Sequence, residues 1–333
     1  MKRILIIQTA SIGDVILATP VAECVHRQEP ETIIDILVKK GCESLFAGHP
    51  YVRNVLVWDK SSKKYRHLFS LLKKIRREKY DAVINIQRFA SSGFLAGFSG
   101  AAVRSGFDKN PFSFLFTHKA AHAIGTGIPF VHETERNLTL LKPLFGGGLT
   151  AAPRLFPTAA AFAKASEIAQ GRYITIAPAS LWFTKQWPAE KWAEFISELP
   201  ADKKIFIIGS GSDQTTAEKI VNLCRGNKPE SLCGKLSLLE TAALMKDAEM
   251  NFTNDSAPQH LASAVNAAVS VVFCSTVPAF GFGPLSDNAV IIETAEPLKC
   301  RPCGLHGFNS CPEKHFKCAM AITKEQLLKS VKQ

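Results

Sequence analysis

The chain has 333 residues, 46% of them apolar and 21% charged, which excludes a disordered polymer and suits two globular domains of about 150–170 residues. Its net charge of +11 points to anionic partners: nucleic acid, an anionic membrane surface and a phosphorylated glycolipid all fit. No apolar run reaches the ~18 residues that a membrane-spanning helix needs, and the opening Met-Lys-Arg-Ile-Leu-Ile-Ile-Gln is too short before Gly13, Asp14 and Pro20 to be a secretory signal, so a soluble cytoplasmic protein is expected.

Arg3–Ile7 reads as a buried strand, and Ser11-Ile12-Gly13-Asp14 as the turn into a helix from about Val15 to Arg27. Gly13 is expected to let the backbone turn tightly. Asp14 then stands at a helix start beyond the carboxyl end of the first strand, where open α/β sheets hold their ligands. The helix dipole alone also favours an acid there. Residues 32–38, 52–58 and 81–86 are strand candidates. Before the last of these, residues 60–79 carry nine Lys or Arg against one acid, Glu78. Leu68, Leu71, Leu72 and Ile75 recur at i, i+3, i+4 and i+7, so this is an amphipathic helix with a basic outer face. That face is either simply solvated or a patch for anionic lipid headgroups.

His132-Glu133-Thr134-Glu135-Arg136 opens a helix that runs to about Leu144, and Arg136 has acids close enough to pair with. The flexible stretch Gly146-Gly147-Gly148-Leu149-Thr150-Ala151-Ala152-Pro153 marks a domain boundary, placed between residues 152 and 153, and Pro157 is a further candidate start of the second unit. The second half repeats the alternation: a strand at 172–177, a helix at 188–199 with Pro in its first turn, and a strand at 203–208. The last feeds Gly209-Ser210-Gly211-Ser212-Asp213, which opens a helix and either cradles phosphate or makes a tight turn with no ligand. Neither this turn nor the one after the first strand has G-x-G-x-x-G spacing, which argues against a dehydrogenase. Lys185, in the loop from Ser180 to Trp187, is either solvated or a phosphate partner.

Residues 245–252 lead into Thr253-Asn254-Asp255-Ser256-Ala257-Pro258-Gln259-His260. Here an Asp and a Ser end a strand and a helix follows at once. Their side-chain oxygens are expected to cap the first turn, leaving backbone N–H groups to face an anion such as a diphosphate; the alternative is an ordinary well-capped turn. Residues 269–273 and 289–292 are further strands, and 324–331 a last helix. Such βαβ alternation on both sides of the joint predicts two doubly wound α/β domains. Near the end, Cys300, Cys303, Cys311 and Cys318 are spaced C-x2-C-x7-C-x6-C, with His306 and His315 interleaved. They form either a structural zinc site or a set of reduced thiols in a Pro-rich tail.

Four motifs fall in order: S-x-G-D at 11–14, K-x-W-P at 185–188, N-D-S-x-x-x-H at 254–260, and the Cys-rich end. Over essentially the whole chain they resemble glycosyltransferase family 9, the ADP-heptose:lipopolysaccharide heptosyltransferases. Ala257 stands where that family usually has Gly. The resemblance implies a GT-B fold, two Rossmann-like domains facing an interdomain cleft. Residues 1–152 would bind the acceptor and 153–333, with the Cys-rich tail, the nucleotide sugar. It implies inverting transfer of a heptose from ADP-heptose to the inner core of lipopolysaccharide, onto a lipid A–Kdo or heptosyl acceptor. Asp14 would be the general base, with Ser11 and Gly13 beside the acceptor. Thr184 and Lys185 would bind the diphosphate, and Asp255, Ser256, Ala257 and His260 would line the nucleotide sugar. Gly209 and Ser212 are assigned to the same donor. Arg88, Arg104, His132 and Arg136 are assigned by position to carboxylates or phosphates of the acceptor. No cofactor is expected for the chemistry, with zinc a candidate at the Cys cluster only. The implied partners are ADP-heptose, the lipopolysaccharide core and the inner face of the cytoplasmic membrane, with no nucleic acid. The rival readings are a GT-B enzyme for another nucleotide sugar and a non-catalytic binder of anionic polymers.

Overall fold

The computed structural model describes residues 2–61, 63–125 and 130–331; Met1 of the opening run and Ser62 of the basic stretch lie outside these. The chain divides into two compact units, Met1–Phe156 and Pro157–Gln333. The division falls later than the Gly-rich stretch suggests because residues 153–156 are tied to the first unit. The Arg154 N–H donates to Thr19 Oγ1 at 2.9 Å, and the Phe156 ring meets that of His49 edge-on at 4.7 Å.

The first unit holds β1 (Arg3–Ile7), β2 (Ile33–Lys39), β3 (Val52–Trp58), β4 (Ala82–Asn85), β5 (Val103–Phe107) and β6 (His118–Ala120), parallel throughout, in the order β3-β2-β1-β4-β5-β6. The second holds β7 (Tyr173–Ala177), β8 (Lys204–Ile207), β9 (Glu230–Ser231), β10 (Met250–Asn254), β11 (Val269–Phe273) and β12 (Ala289–Glu293), also parallel, in the order β12-β11-β10-β7-β8-β9. Numbered from the start of its own unit, each sheet reads 3-2-1-4-5-6, the doubly wound order. The central strands β4, β7, β10 and β11 are buried along their whole length, as parallel strands covered on both faces must be.

Local sequence explains where the helices depart from expectation. The helix expected from Val15 to Arg27 is two helices, α1 (Ile12–Ile16) and α2 (Thr19–Gln28), because Pro20 fits a first turn but not a helix interior. Gly13 does not make the turn; it is a buried residue inside α1, and the entry is made by Ser11 in extended conformation. α3 (Lys64–Glu78) buries Leu68, Leu71 and Ile75, with Leu72 partly covered, against Leu5, Ile7 and Trp58. α4 (Ala90–Gly97) follows β4. Pro143 divides the helix expected from Glu133 into α5 (Glu133–Leu138), a 3-10 turn and α6 (Lys142–Phe145).

In the second unit, α7 (Ala159–Ile168), α8 (Ala189–Ser197), α9 (Gln214–Leu223), α10 (Leu238–Asp247) and α11 (Ala257–Ala264) alternate with the strands. Met245, expected to open a strand, belongs to α10, which begins with a Ser237–Glu240 capping box. α12 (Lys317–Met320) and α13 (Lys324–Leu328) close the chain. α13 packs on α8 of its own unit, with Leu327 in the core beside Trp192, Phe195 and Phe252. No described helix is long and apolar enough to cross a membrane.

A buried histidine near the joint gives the first unit a pH-dependent stability. His49 lies among the rings of Phe46, Tyr51 and Phe156, and among the described residues neither ring nitrogen has a hydrogen-bond partner. Burial, with a smaller effect from His26, pushes its pKa down from 6.5 to about 4. The unfolded chain therefore binds the proton first, and stability falls as pH drops from 6.5 towards 4, by up to about 3 kcal/mol. Urea unfolding across this range should show that slope, and His49→Leu should flatten it.

Candidate active site

In a doubly wound sheet the ligand edge lies at the carboxyl ends of the strands where the order reverses. In the first unit those strands are β1 and β4. Their ends are stitched together: Gln8 Nε2 donates to the Ile86 carbonyl at 3.1 Å, and Thr9 Oγ1 to Gln87 Oε1 at 2.7 Å. Asp14 stands just beyond, half-exposed, in a capping box with Ser11. One carboxylate oxygen accepts from the Ser11 N–H at 3.0 Å and from Ser11 Oγ at 2.5 Å. The cap thus orients the carboxylate and leaves its other oxygen for a further donor. Lys60 Nζ donates to the Thr9 carbonyl at 2.7 Å, and Arg88, after β4, is exposed.

Three of the assigned acceptor cations are not available at that edge. Arg104 is the second residue of β5, towards its amino end, and its guanidinium donates to the carbonyls of Ala101 (2.5 Å) and Leu115 (2.9 Å). Arg136 is buried; its Nε donates to Glu133 Oε2 at 2.8 Å and its Nη1 to the Val131 carbonyl. Burial alone would raise the Glu133 carboxyl, but His122 and Arg136 outweigh it and hold it below its ordinary value. His132 is the buried N-cap of α5, its Nδ1 accepting from the Thr134 N–H at 3.2 Å. His132 and Arg136 thus both hold the start of α5.

The corresponding edge of the second unit lies at the ends of β7 and β10. Lys185, from the loop after β7, and Asp255, directly after β10, meet there: Lys185 Nζ lies 2.6 Å from Asp255 Oδ2, with 15% and 7% of the two side chains exposed. Thr276 Oγ1 donates to the same oxygen at 2.6 Å, and Gln259 Nε2 to the other at 2.7 Å. Asp255 is thus fully engaged as an acceptor and caps nothing. Ser256 is the N-cap of α11, but its side chain makes no cap bond; its hydroxyl points to the carbonyls of Ala179 and Asn254. The expected side-chain cap is absent; Pro258 has no N–H and the Gln259 N–H donates to the Ser256 carbonyl at 3.2 Å, so of the first three residues of α11 only Ala257 offers its N–H to the ligand edge. Ala257 opens α11 and His260, buried, is its fourth residue, at the end of the first turn.

Two side chains that the sequence did not single out fix this geometry. Asn254 is buried and fastens the two strand ends, accepting from the Trp187 N–H at 3.0 Å and donating to the Pro178 carbonyl at 2.5 Å. Trp187, the aromatic of the K-x-W-P motif, is buried edge-on against Trp192. The motif thus anchors its loop through Trp187 and lets Lys185 reach back to Asp255. Thr184, assigned to the diphosphate, turns its hydroxyl to the tail. It is buried, and its hydroxyl accepts from Ser275 Oγ (3.0 Å) and from the Phe308 N–H (2.8 Å). Gly209 and Ser212 follow β8, one strand outward. A Cβ at Gly209 would lie 2.9 Å from Asp213 Oδ2, so its smallness serves the Ser210–Asp213 capping box, while Ser212 is exposed beside Ser210.

The Cys-rich tail wraps behind the Lys185 loop. Gly307 has φ +78°, and a Cβ there would lie 2.8 Å from Thr184 Oγ1 and 3.1 Å from Lys185 Cγ. Gly307→Ala would have to displace that loop; a misplacement of the order of 1 Å costs about 10²-fold in turnover, so kcat/KM should fall by about that factor with the chain still folded. Arg301 pins the first knuckle to the carbonyls of Cys274 and Thr276, and the Cys303 thiol turns to the Cys300 carbonyl at 3.2 Å. Cys300 faces His315 at 3.9 Å, Cys311 accepts from the Phe316 N–H, and burial, with a smaller effect from the neighbouring Cys303 and Cys311, pushes the Cys318 thiol up to about 11. Among the described residues no group of three or more His, Cys, Asp or Glu side chains is placed to hold one ion.

The profile of glycosyltransferase family 9 (heptosyltransferase) matches residues 68–306. The chain belongs to this family. Among family 9 relatives, lipopolysaccharide heptosyltransferase 3 of Escherichia coli is 26% identical over 292 residues, covering 84% of this chain and 85% of that protein. The fold matches the glycosyl transferase family 9 structure from Veillonella parvula with a TM-score of 0.86 at 22% identity, over 99% of this chain and 96% of that one. It matches E. coli heptosyltransferase WaaC with ADP at a TM-score of 0.74 and 21% identity, over 98% of each chain. This family 9 chain is therefore a glycosyltransferase with two parallel-sheet α/β domains of the GT-B type.

Proposed function

We propose that this glycosyltransferase transfers a heptose from ADP-heptose to the inner core of lipopolysaccharide, with inversion at the anomeric carbon. The supporting observation is the Lys185–Asp255 pair at the reversal point of the second sheet, next to a helix start that no side chain caps. The diphosphate takes Lys185 and the Ala257 N–H at the start of α11, while Asp255 holds the lysine in place. Asp14 takes the proton of the acceptor hydroxyl. The freed oxygen forms its bond to the anomeric carbon, and the bond from that carbon to the diphosphate oxygen breaks, the electron pair leaving with ADP. Lys185 and α11 stabilise the charge that gathers on the departing diphosphate. The named heptosyltransferase relatives support the sugar and the acceptor, and a lipopolysaccharide acceptor would bring a cytoplasmic enzyme to the inner face of the membrane as a peripheral protein. Calorimetry against ADP-, UDP- and GDP-sugars, followed by mass spectrometry of lipid A–Kdo and heptosylated acceptors, tests the reading. Preference for ADP and a single added heptose is expected; selective binding of another nucleotide, or no transfer to either acceptor, overturns it.

A further inference from the structure

Five phenylalanines from three segments of the chain meet on the surface of the first unit. Phe69 of α3 lies edge-on to Phe94 of α4, 5.7 Å between centroids; Phe94 meets Phe98 at 5.0 Å and Phe112 at 5.9 Å, and Phe112 meets Phe114 at 6.1 Å. Phe69 is 60% exposed, Phe98 42% and Phe114 72%. Singly exposed rings are ordinary, but a continuous exposed row of them marks a contact surface. The row runs onto the basic helix. Tyr65, also exposed, stands one turn before Phe69, and Leu72 and Arg76 continue the stripe. Lys64, Arg66, Lys73, Lys74, Arg76 and Arg77 are all exposed on the same helix.

We propose that the aromatic ridge and the cations of α3 form one docking face for an anionic lipid bilayer. Apolar rings beside a cluster of lysines and arginines match the layering of such a surface, hydrocarbon below and phosphate above. The charge disfavours a second copy of the chain, because a two-fold contact through this face would set α3 against α3, cation against cation. Phe69 and Phe112 also close off Phe94 edge-on, which leaves a packed hydrocarbon surface rather than the open, separated faces on which nucleic acid bases stack. The inference deepens the proposed reading by placing the acceptor's membrane against this face, and its test uses neither sugar nor nucleotide.

Co-sedimentation is measured with vesicles of phosphatidylcholine alone and with added phosphatidylglycerol. The full chain is expected to partition onto the anionic vesicles at least about tenfold better than onto the neutral ones. Phe69→Ala/Phe98→Ala/Phe114→Ala should lose about tenfold or more, and reversal of Lys73, Lys74, Arg76 and Arg77 to Glu should abolish binding. Phe114→Trp should be quenched by brominated lipid, which surface attraction without insertion would not produce. Transfer to a delipidated acceptor should be unchanged in the phenylalanine variant. Undiminished vesicle binding by the triple variant overturns the proposal. So does a wild-type dimer that the triple variant dissociates, or RNA binding through these rings that exceeds vesicle binding at equal ionic strength. Vesicle binding that behaves as expected in a chain with no heptose transfer would sink the proposed activity and leave the docking face standing.

Discussion

Asp14→Asn is expected to lower kcat by about 10²–10⁴-fold, the usual contribution of a positioned base, with little change in stability or ADP affinity. An acceptor hydroxyl is a poor nucleophile at neutral pH, and Asp14 is the half-exposed carboxylate at the reversal point of the first sheet. Its geometry makes a clean test possible. One oxygen is held by the Ser11 N–H and hydroxyl. The amide oxygen of Asn can accept the same two bonds, so the cap survives while the basicity is lost. Ser11→Ala is the complementary change: it removes both bonds of the hydroxyl, to the Asp14 carboxylate and from the Asp14 N–H, costs about 1 kcal/mol, and leaves the carboxylate held by the residue 11 N–H. A base predicts a large loss for the first variant and a small one for the second, in single-turnover rates at saturating donor. If the two lose activity equally, or Asp14→Asn turns over normally, Asp14 is only the cap of α1.

Lys185→Ala should behave differently, weakening ADP binding as well as turnover, with kcat/KM reduced by about 10²–10³-fold. Removing one partner of a buried ion pair ordinarily costs about 3–5 kcal/mol. Here Asp255 keeps the donors Thr276 and Gln259, so the loss of stability should fall below that range. Calorimetry of ADP binding separates two roles. A lysine that meets the diphosphate loses affinity when truncated. A lysine that only clasps Asp255 lowers the melting temperature and leaves ADP affinity intact.

Much of the architecture is legible in the sequence because parallel strands buried on both faces spell themselves as apolar runs, and nearly every strand of the two sheet centres falls where such a run predicts it. The two ligand edges are legible for a related reason: Asp255 follows its strand directly and Asp14 lies in the first turn of the helix that follows its strand, so chain position alone puts them beyond the carboxyl end. What sequence hides is the direction of a side chain. Arg104 reads as a cation for the acceptor but is spent on carbonyls at the amino end of its strand, whereas Arg136 pairs with Glu133, one of the acids its sequence offers. Thr184 sits next to Lys185 in sequence, yet alternation of direction within a single 3-10 turn sends one inward and the other to the edge. The aromatic ridge was invisible because α3, α4 and the turn at Ser113–Leu115 bring its members together only by packing.

The tail behind the Lys185 loop has a thermodynamic consequence. The Phe308 N–H and carbonyl both bond to Thr184, and Gly307 rests on the stem of Lys185. Any arrangement of Lys185 that favours a bound nucleotide therefore favours one arrangement of the tail, and reciprocity requires the converse by the same factor. Donor affinity and the order of residues 300–316 become a single equilibrium observed at two places. A substitution that loosens the tail without touching the ligand would then be felt as a weaker donor, and a chain saturated with nucleotide would hold its own C-terminal segment more firmly.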